Sequence, residues 1–286
     1  MTTTITNDSD VFALGAEFAR REVAPHLQEW EDAGTLPREL HAAAAKQGLI
    51  GLGFPESVGG SGGDLLDTVD CQEGILSEGG SSGLLAGLFT SGIALPHMVA
   101  AAERGEGHEG GSSLVDRFVR PTLAGETIGS LAITEPGGGS DVAGIRTTAV
   151  RDGDHYVVNG AKTFITNGYS ADLVVTAVRT DPEKGARGIT LFAIPADAPG
   201  FSRGRKLDKV GQDESDTAEL FFEDVRLGED HIIGELGGGF IAMMQKLPQE
   251  RLGCSISNVA HAKQILLETI QYTKDRKAFG APIGTF

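Results

Sequence analysis

Cysteine is nearly absent. Cys71 and Cys254 are the two in 286 residues, too few for a disulfide scaffold and without the spacing of a metal site. Basic charge is also in deficit, with 24 Lys+Arg against 40 Asp+Glu and a formal net charge of −16. A surface that acidic repels phosphate backbones and anionic lipid, so general nucleic-acid or membrane-surface binding is disfavoured. Uninterrupted apolar runs such as 84–88 are short, against the roughly 20 residues that a membrane span needs. The first residues, Met1 to Asp8, have neither the basic and apolar regions of a secretory signal nor the Arg-rich character of a transit peptide. The expectation is a soluble, cytoplasmic protein without a membrane span.

Glycine is abundant instead, at 41 residues, about twice the usual share of roughly 7%. The glycines lie between well-patterned segments, so they mark tight turns or places of close approach to the backbone. With 40% hydrophobic residues the chain can bury more than one core.

Three regions follow from periodicity. Residues 1–127 read as helical: Val11, Phe12, Leu14, Phe18 and Val23 recur at three- and four-residue spacing behind a Ser9 cap, and further helices are expected after Pro37, over 65–76, over 84–102 and over 114–123. Residues 128–233 change to period two, with strands expected at 128–134, 145–151, 155–158, 162–166, 173–178, 189–194 and 219–225. Asn159-Gly160 and Asn167-Gly168 read as hairpin turns, giving a small antiparallel barrel or sandwich. Residues 234–286 return to helix, kinked or restarted at Pro248. The fold class is therefore α+β and multidomain: an all-α domain, a central antiparallel β domain and the start of a helical bundle. A long helix without a visible partner makes that third module look incomplete.

Four segments are candidates for chemistry. The glycines of Thr134-Glu135-Pro136-Gly137-Gly138-Gly139-Ser140-Asp141 can aim backbone N–H groups at a phosphate or the polar edge of a ring, although a plain glycine turn stays open. In Lys162-Thr163-Phe164-Ile165-Thr166 a strand places Phe164 and Thr166 on one face, where they could meet a flat heteroaromatic ring, or simply form core and surface. In Leu247-Pro248-Gln249-Glu250-Arg251, a restarted helix puts Glu250 in its first turn, sharing a stripe with Cys254, Ser257 and His261. Glu250 in a partly apolar cleft would have a raised pKa and suit a general base; a helix-dipole carboxylate is the alternative. Tyr272, Arg276 and Phe279 share a helical face suited to phosphate or to a surface stack. His26, His41, His97, His108 and His155 have no partner at metal or triad spacing and read as surface or satisfied residues.

These segments, in this order, resemble the acyl-CoA dehydrogenase family. The resemblance includes Gly53-Phe54-Pro55-Glu56 with Gly59-Gly60-Ser61-Gly62, the 134–141 and 164–168 motifs, and Arg276-Lys277-Ala278-Phe279-Gly280. The stretches 204–207, 216–225 and 247–252 are similar to the long-chain subgroup. The resemblance implies FAD, with its ring against Leu131, Ile133 and Thr134 and against Phe164, Ile165 and Thr166. It places Gly139 and Ser140 beside the flavin and the CoA arm, and Pro248, Gln249 and Arg251 with Ser140 at the substrate. Glu250 matches the base of long-chain and isovaleryl-type members. Arg276 and Phe279 are similar to residues that reach FAD in a neighbouring subunit, which implies a homo-oligomer, a dimer of dimers.

The implied reaction is α,β-dehydrogenation of a medium- or long-chain acyl-CoA to a trans-2-enoyl-CoA in fatty acid β-oxidation. Glu250 takes the α-proton, and the electrons pass through FAD to electron-transferring flavoprotein. In the family the bundle continues for about a hundred residues past the last one here, so weak or absent flavin retention by the 286-residue chain is expected. Two other readings stay open: an oxidase or monooxygenase on the same scaffold, and a non-catalytic partner subunit.

Overall fold

The computed structural model describes residues 9–286; the 1–8 stretch read above for a targeting signal lies outside the described residues. The helical region comprises α1 (Asp10–Phe18), α2 (Leu27–Ala33), α3 (Arg38–Lys46), α4 (Leu65–Ser77), α5 (Ser82–Phe89), α6 (Ser91–Glu103) and two short pieces, α7 (Ser112–Leu114) and α8 (Arg120–Leu123). Ser9 caps α1 by accepting from Phe12 N. Asp64 and Asp67 form a reciprocal capping box on α4. The apolar run expected as one helix over 84–102 is two, parted at Thr90. Taken together, Ser82–Glu103 is long and apolar enough to cross a membrane, and 72% of that apolar window is buried within the fold.

Helices α1 and α4 cross at backbone contact. A Cβ on Gly15 would lie 2.4 Å from the Cys71 carbonyl oxygen, and one on Gly74 would lie 2.2 Å from that of Phe12. Only glycine on both helices permits that approach.

The central region holds β1 (Gly129–Ala132), β2 (Thr148–Asp152), β3 (His155–Thr166), β4 (Leu173–Arg179), β5 (Ile189–Pro195), β6 (Phe201–Lys206), β7 (Thr217–Gly228) and β8 (Ile232–Ile233). Their order is β6-β7-β3-β2-β4-β5-β8, with β1 beside β4. Of the antiparallel barrel or sandwich expected here, the closed barrel does not form. The sheet is open and mixed, because β1 and β2 follow one another along a single edge of β4, both parallel to it. Strand β4 is buried on both faces. Leu173, Val175 and Ala177 join the helical core, while Val174 and Val178 join a second core with Phe192, Ile194, Leu220 and Phe222.

Asn159-Gly160 is not a hairpin. The turn between β2 and β3 lies at Gly153-Asp154. Gly160 sits mid-strand at a bulge with φ +150°, where a Cβ would come 2.7 Å from Thr147 Cα. Asn167-Gly168 does turn, and it ties the domains together: Asn167, at φ +57°, donates from its buried Nδ2 to Gly87 O at 2.6 Å.

The chain ends in α9 (Gly239–Asp275), then β9 (Lys277–Ala278) paired with β10 (Ala281–Pro282). Helix α9 runs through Pro248 without restarting. Glu250 therefore lies well inside a 37-residue helix rather than in a first turn. Of its residues only Gly239, Met243 and Ala260 are buried, and Leu252, Val259, Ile265, Leu266 and Ile270 are exposed.

Candidate active site

A cavity of about 650 Å³ opens between the helical region, the β domain and α9. Its walls are mainly apolar, from Leu52, Phe54, Leu65, Leu85, Phe89 and Ile93. From α9, Lys246, Gln249, Glu250, Gly253, Cys254, Ser257 and Asn258 face it, and Thr166 reaches it from the end of β3. The Cys254 and Ser257 stripe expected beside Glu250 is thus formed, while His261 lies outside the lining. Gln249 lines the cavity; Pro248 and Arg251 are exposed outside its lining.

The Glu250 side chain is only 19% exposed. Burial pushes its carboxyl above the usual range, partly offset by the charges of Arg251 and Lys246. Ser91 lines the cavity and its Oγ accepts from Gly129 N, so α6 and β1 are fixed to each other at this wall. Gly83 and Gly87 serve contacts rather than cavity width, since a Cβ on either would meet Glu214 or Leu36 at 2.5 and 2.6 Å.

A second feature adjoins the first. Ser130 Oγ donates to Thr166 O at 2.7 Å, and Thr163 N donates to Thr134 O at 2.9 Å. These bonds bring Leu131, Ile133 and Thr134 against Phe164, Ile165 and Thr166. Ile165 is buried, whereas Phe164 is 68% exposed and held at φ +59°. That left-handed residue breaks the strand alternation, so the expected common face of Phe164 and Thr166 does not follow from period two. Beyond Thr134, Glu135 and Gly138 close a turn on each other's backbone, and Gly139 and Ser140 are exposed beside it.

Under this corner lies an ion pair that no motif or spacing announced. Lys162, fully buried, donates to Glu135 Oε1 at 2.8 Å and to Ile133 O at 3.0 Å. Glu135 also accepts from the backbone N–H groups of Arg146 and Thr147. Burial lowers the Lys162 ammonium to about 8. Burial works against the Glu135 carboxylate, but its hydrogen bonds to Lys162, Thr147 and Arg146 hold it below the usual range.

Arg276 and Phe279 are elsewhere. Helical geometry stops at Asp275, so the expected i, i+4, i+7 face with Tyr272 is not formed. Phe279, at φ +52°, turns between β9 and β10, is 97% exposed, and packs edge-on to Phe286. Along the helix this end is about 39 Å from Glu250, at 1.5 Å per residue.

His97 departs most from expectation. It is neither surface nor satisfied: its side chain is 1% exposed, neither ring nitrogen has a hydrogen-bond partner, and Nε2 lies 4.0 Å from Glu250 Oε1. No local spacing could reveal a pair made by two helices distant in sequence.

The crystal structure of a probable acyl-CoA dehydrogenase from Mycobacterium abscessus superimposes with a TM-score of 0.92 at 49% identity, covering 100% of this chain and 73% of that one. This chain belongs to the acyl-CoA dehydrogenase family. The family's N-terminal, middle and C-terminal domain patterns match residues 11–103, 130–225 and 237–286. The mouse (Mus musculus) mitochondrial long-chain specific acyl-CoA dehydrogenase is 41% identical over 97% of the chain, which spans 63% of that relative's length. A glutaryl-CoA dehydrogenase from Mycobacterium smegmatis, solved in complex with FADH2, matches at 28% identity with a TM-score of 0.83, covering 97% of this chain and 68% of that one. A flat ring fits the corner described above: Phe164 offers an open aromatic face, and a Cβ on Gly137 or Gly138 would meet no atom within 4 Å.

Proposed function

We infer that this acyl-CoA dehydrogenase chain acts in FAD-dependent α,β-dehydrogenation of a medium- or long-chain acyl-CoA, with electron-transferring flavoprotein as the acceptor. The observation that carries the reading is Glu250, a largely buried carboxylate on the wall of an apolar cavity that Thr166 shares with the Phe164 corner.

In this reading the acyl chain lies along Leu52, Phe54, Leu85 and Phe89, which exclude water from it. Glu250 Oε accepts the α-proton of the thioester and becomes a neutral carboxylic acid. Burial, which already favours that neutral form, lowers the cost of holding the proton in the cavity. Leu131, Ile133, Thr134, Phe164, Ile165 and Thr166 would hold FAD, with Gly139 and Ser140 at its edge and at the CoA arm. When bound, FAD supplies a two-electron acceptor for the hydride from the β-carbon. Product is the trans-2-enoyl thioester. Arg276 and Phe279, distant from this corner within one chain, would serve a neighbouring copy, which supports a homo-oligomer.

Anaerobic titration of the FAD-loaded protein with palmitoyl-CoA tests this. Loss of the visible flavin band is expected in the wild type, slowed about 10²- to 10⁴-fold in Glu250→Gln, the range that a positioned base contributes. Bleaching at an unchanged rate in Glu250→Gln would remove Glu250 from the role. Rapid oxygen consumption after bleaching would identify an oxidase instead.

A further inference from the structure

Buried polar atoms are almost always hydrogen-bonded, because leaving one unpaired costs its full desolvation. His97 leaves two unpaired in one ring. Its place on α6 puts the ring behind the cavity wall, next to the wall-lining Pro96, and Glu250 Oε1 from α9 is 4.0 Å from Nε2. That separation is too long for a hydrogen bond, which needs about 2.9 Å. Closing it takes roughly 1 Å of movement, within the range of a glutamate side chain with three rotatable bonds.

A neutral imidazole carries one N–H donor and one acceptor. Burial holds His97 neutral, lowering it to about 4 with a smaller contribution from the Lys246 charge. We propose that His97 is a positioning residue for Glu250: in its Nε2–H tautomer it donates to Oε1 and holds the carboxylate in a single orientation on the cavity wall. The inference rests on Glu250 being the base. It adds a donor behind that base, outside the cavity lining, where substrate does not reach.

A donor to a carboxylate favours its ionised form, opposing the burial that favours the neutral one. The other charged or titratable groups in the neighbourhood are Lys246, Arg251 and Cys254 on α9 itself, Glu103 on α6, and Asp64 ahead of α4. Lys246 and Arg251 act on Glu250 in the same sense as His97 does. Their influence on Glu250 is through charge alone, whereas His97 is a buried ring with an unpaired nitrogen 4.0 Å from Oε1.

The test uses the 286-residue chain labelled with ¹³Cδ-glutamate and ¹⁵N-histidine, the Glu250 signal being assigned by its loss in Glu250→Gln. In the wild type the His97 ring should show the Nε2–H pattern, and its Nε2 resonance should shift at the Glu250 midpoint. His97→Leu should raise that midpoint by about one pH unit, a tenfold change in proton affinity. His97→Gln, which retains an amide donor, should return most of the shift. An Nδ1–H tautomer, an Nε2 resonance indifferent to Glu250, or equal midpoints in the wild type and His97→Leu would overturn the proposal. The tautomer is read on the wild type, so the test survives a variant that fails to fold. Flavin bleaching in Glu250→Gln addresses the base assignment separately: it can fail while the His97–Glu250 coupling stands, and the reverse.

Discussion

Lys162 and Glu135 meet at 2.8 Å with the lysine entirely out of water and the glutamate nearly so. The pair clamps β3 to the turn that follows β1, directly beneath the Phe164 corner. Neither partner can be removed alone without leaving a buried charge or an empty set of donors.

Lys162→Met should therefore destabilise the chain by about 3–5 kcal/mol, the cost of stranding one member of a buried pair. Lys162→Met with Glu135→Gln should cost less than the sum of the two single changes, since the double variant strands no charge. Urea midpoints of the four proteins check this; strict additivity would show that the pair is not coupled. The Glu135 carboxyl lies below its ordinary value in the folded chain. Its contribution is complete above the ordinary carboxylate range and is lost as pH falls through the lower folded value.

Glu250 has the opposite sign. Its folded carboxyl is raised by burial, so the folded state binds protons more readily than the unfolded one between the two values. Stability at this residue falls as pH rises through that window. Glu250→Gln should raise the melting temperature at pH 8 and change it little near pH 4, while slowing flavin reduction. A variant that melts lower at pH 8 would contradict the assigned burial cost.

Phe164 holds φ +59° with an open face. A left-handed non-glycine residue costs roughly 1–2 kcal/mol, and such strain persists mainly at functional positions. Phe164→Gly should leave the melting temperature of the FAD-free chain unchanged or higher, yet weaken FAD binding in equilibrium dialysis. Tighter binding in the glycine variant would remove Phe164 from the ring site.

Gly74→Ala tests the helix crossing. An added Cβ would meet the Phe12 carbonyl at 2.2 Å, and overpacking of this kind costs about 1–3 kcal/mol. Because α4 carries Thr68 and Gln72 into the cavity wall, binding of acyl-CoA should weaken along with stability. A melting temperature equal to wild type would show that the helices separate freely.

The order helix, sheet, helix was legible because each period spans many residues: the helical spacing of Val11, Phe18 and Val23 and the apolar, β-branched run of β4 leave little choice. What local pattern hid was non-local. Asn159-Gly160 carries a strong turn signal, but β3 is paired along both edges there, and the glycine is needed for close approach to Thr147. The position of Glu250 on a cavity wall was legible from its small and polar neighbours Cys254 and Ser257. Its histidine neighbour was not, since only the packing of α6 on α9 brings them together. Arg276 and Phe279 were read on a helix because nothing in Lys274-Asp275-Arg276 announces a stop.

Pro248 has no amide hydrogen, so the Met244 carbonyl lacks its partner four residues on and α9 is locally more compliant there. The soft point lies half a turn before Glu250, and everything beyond it moves as one rod. A bend of one degree at Pro248 swings the far tip, at Asp275, by about 0.7 Å for a rod of roughly 40 Å. The same proline thus acts as a pivot, with the carboxylate close beside it and the Arg276–Phe279 turn at the far end of the same arm.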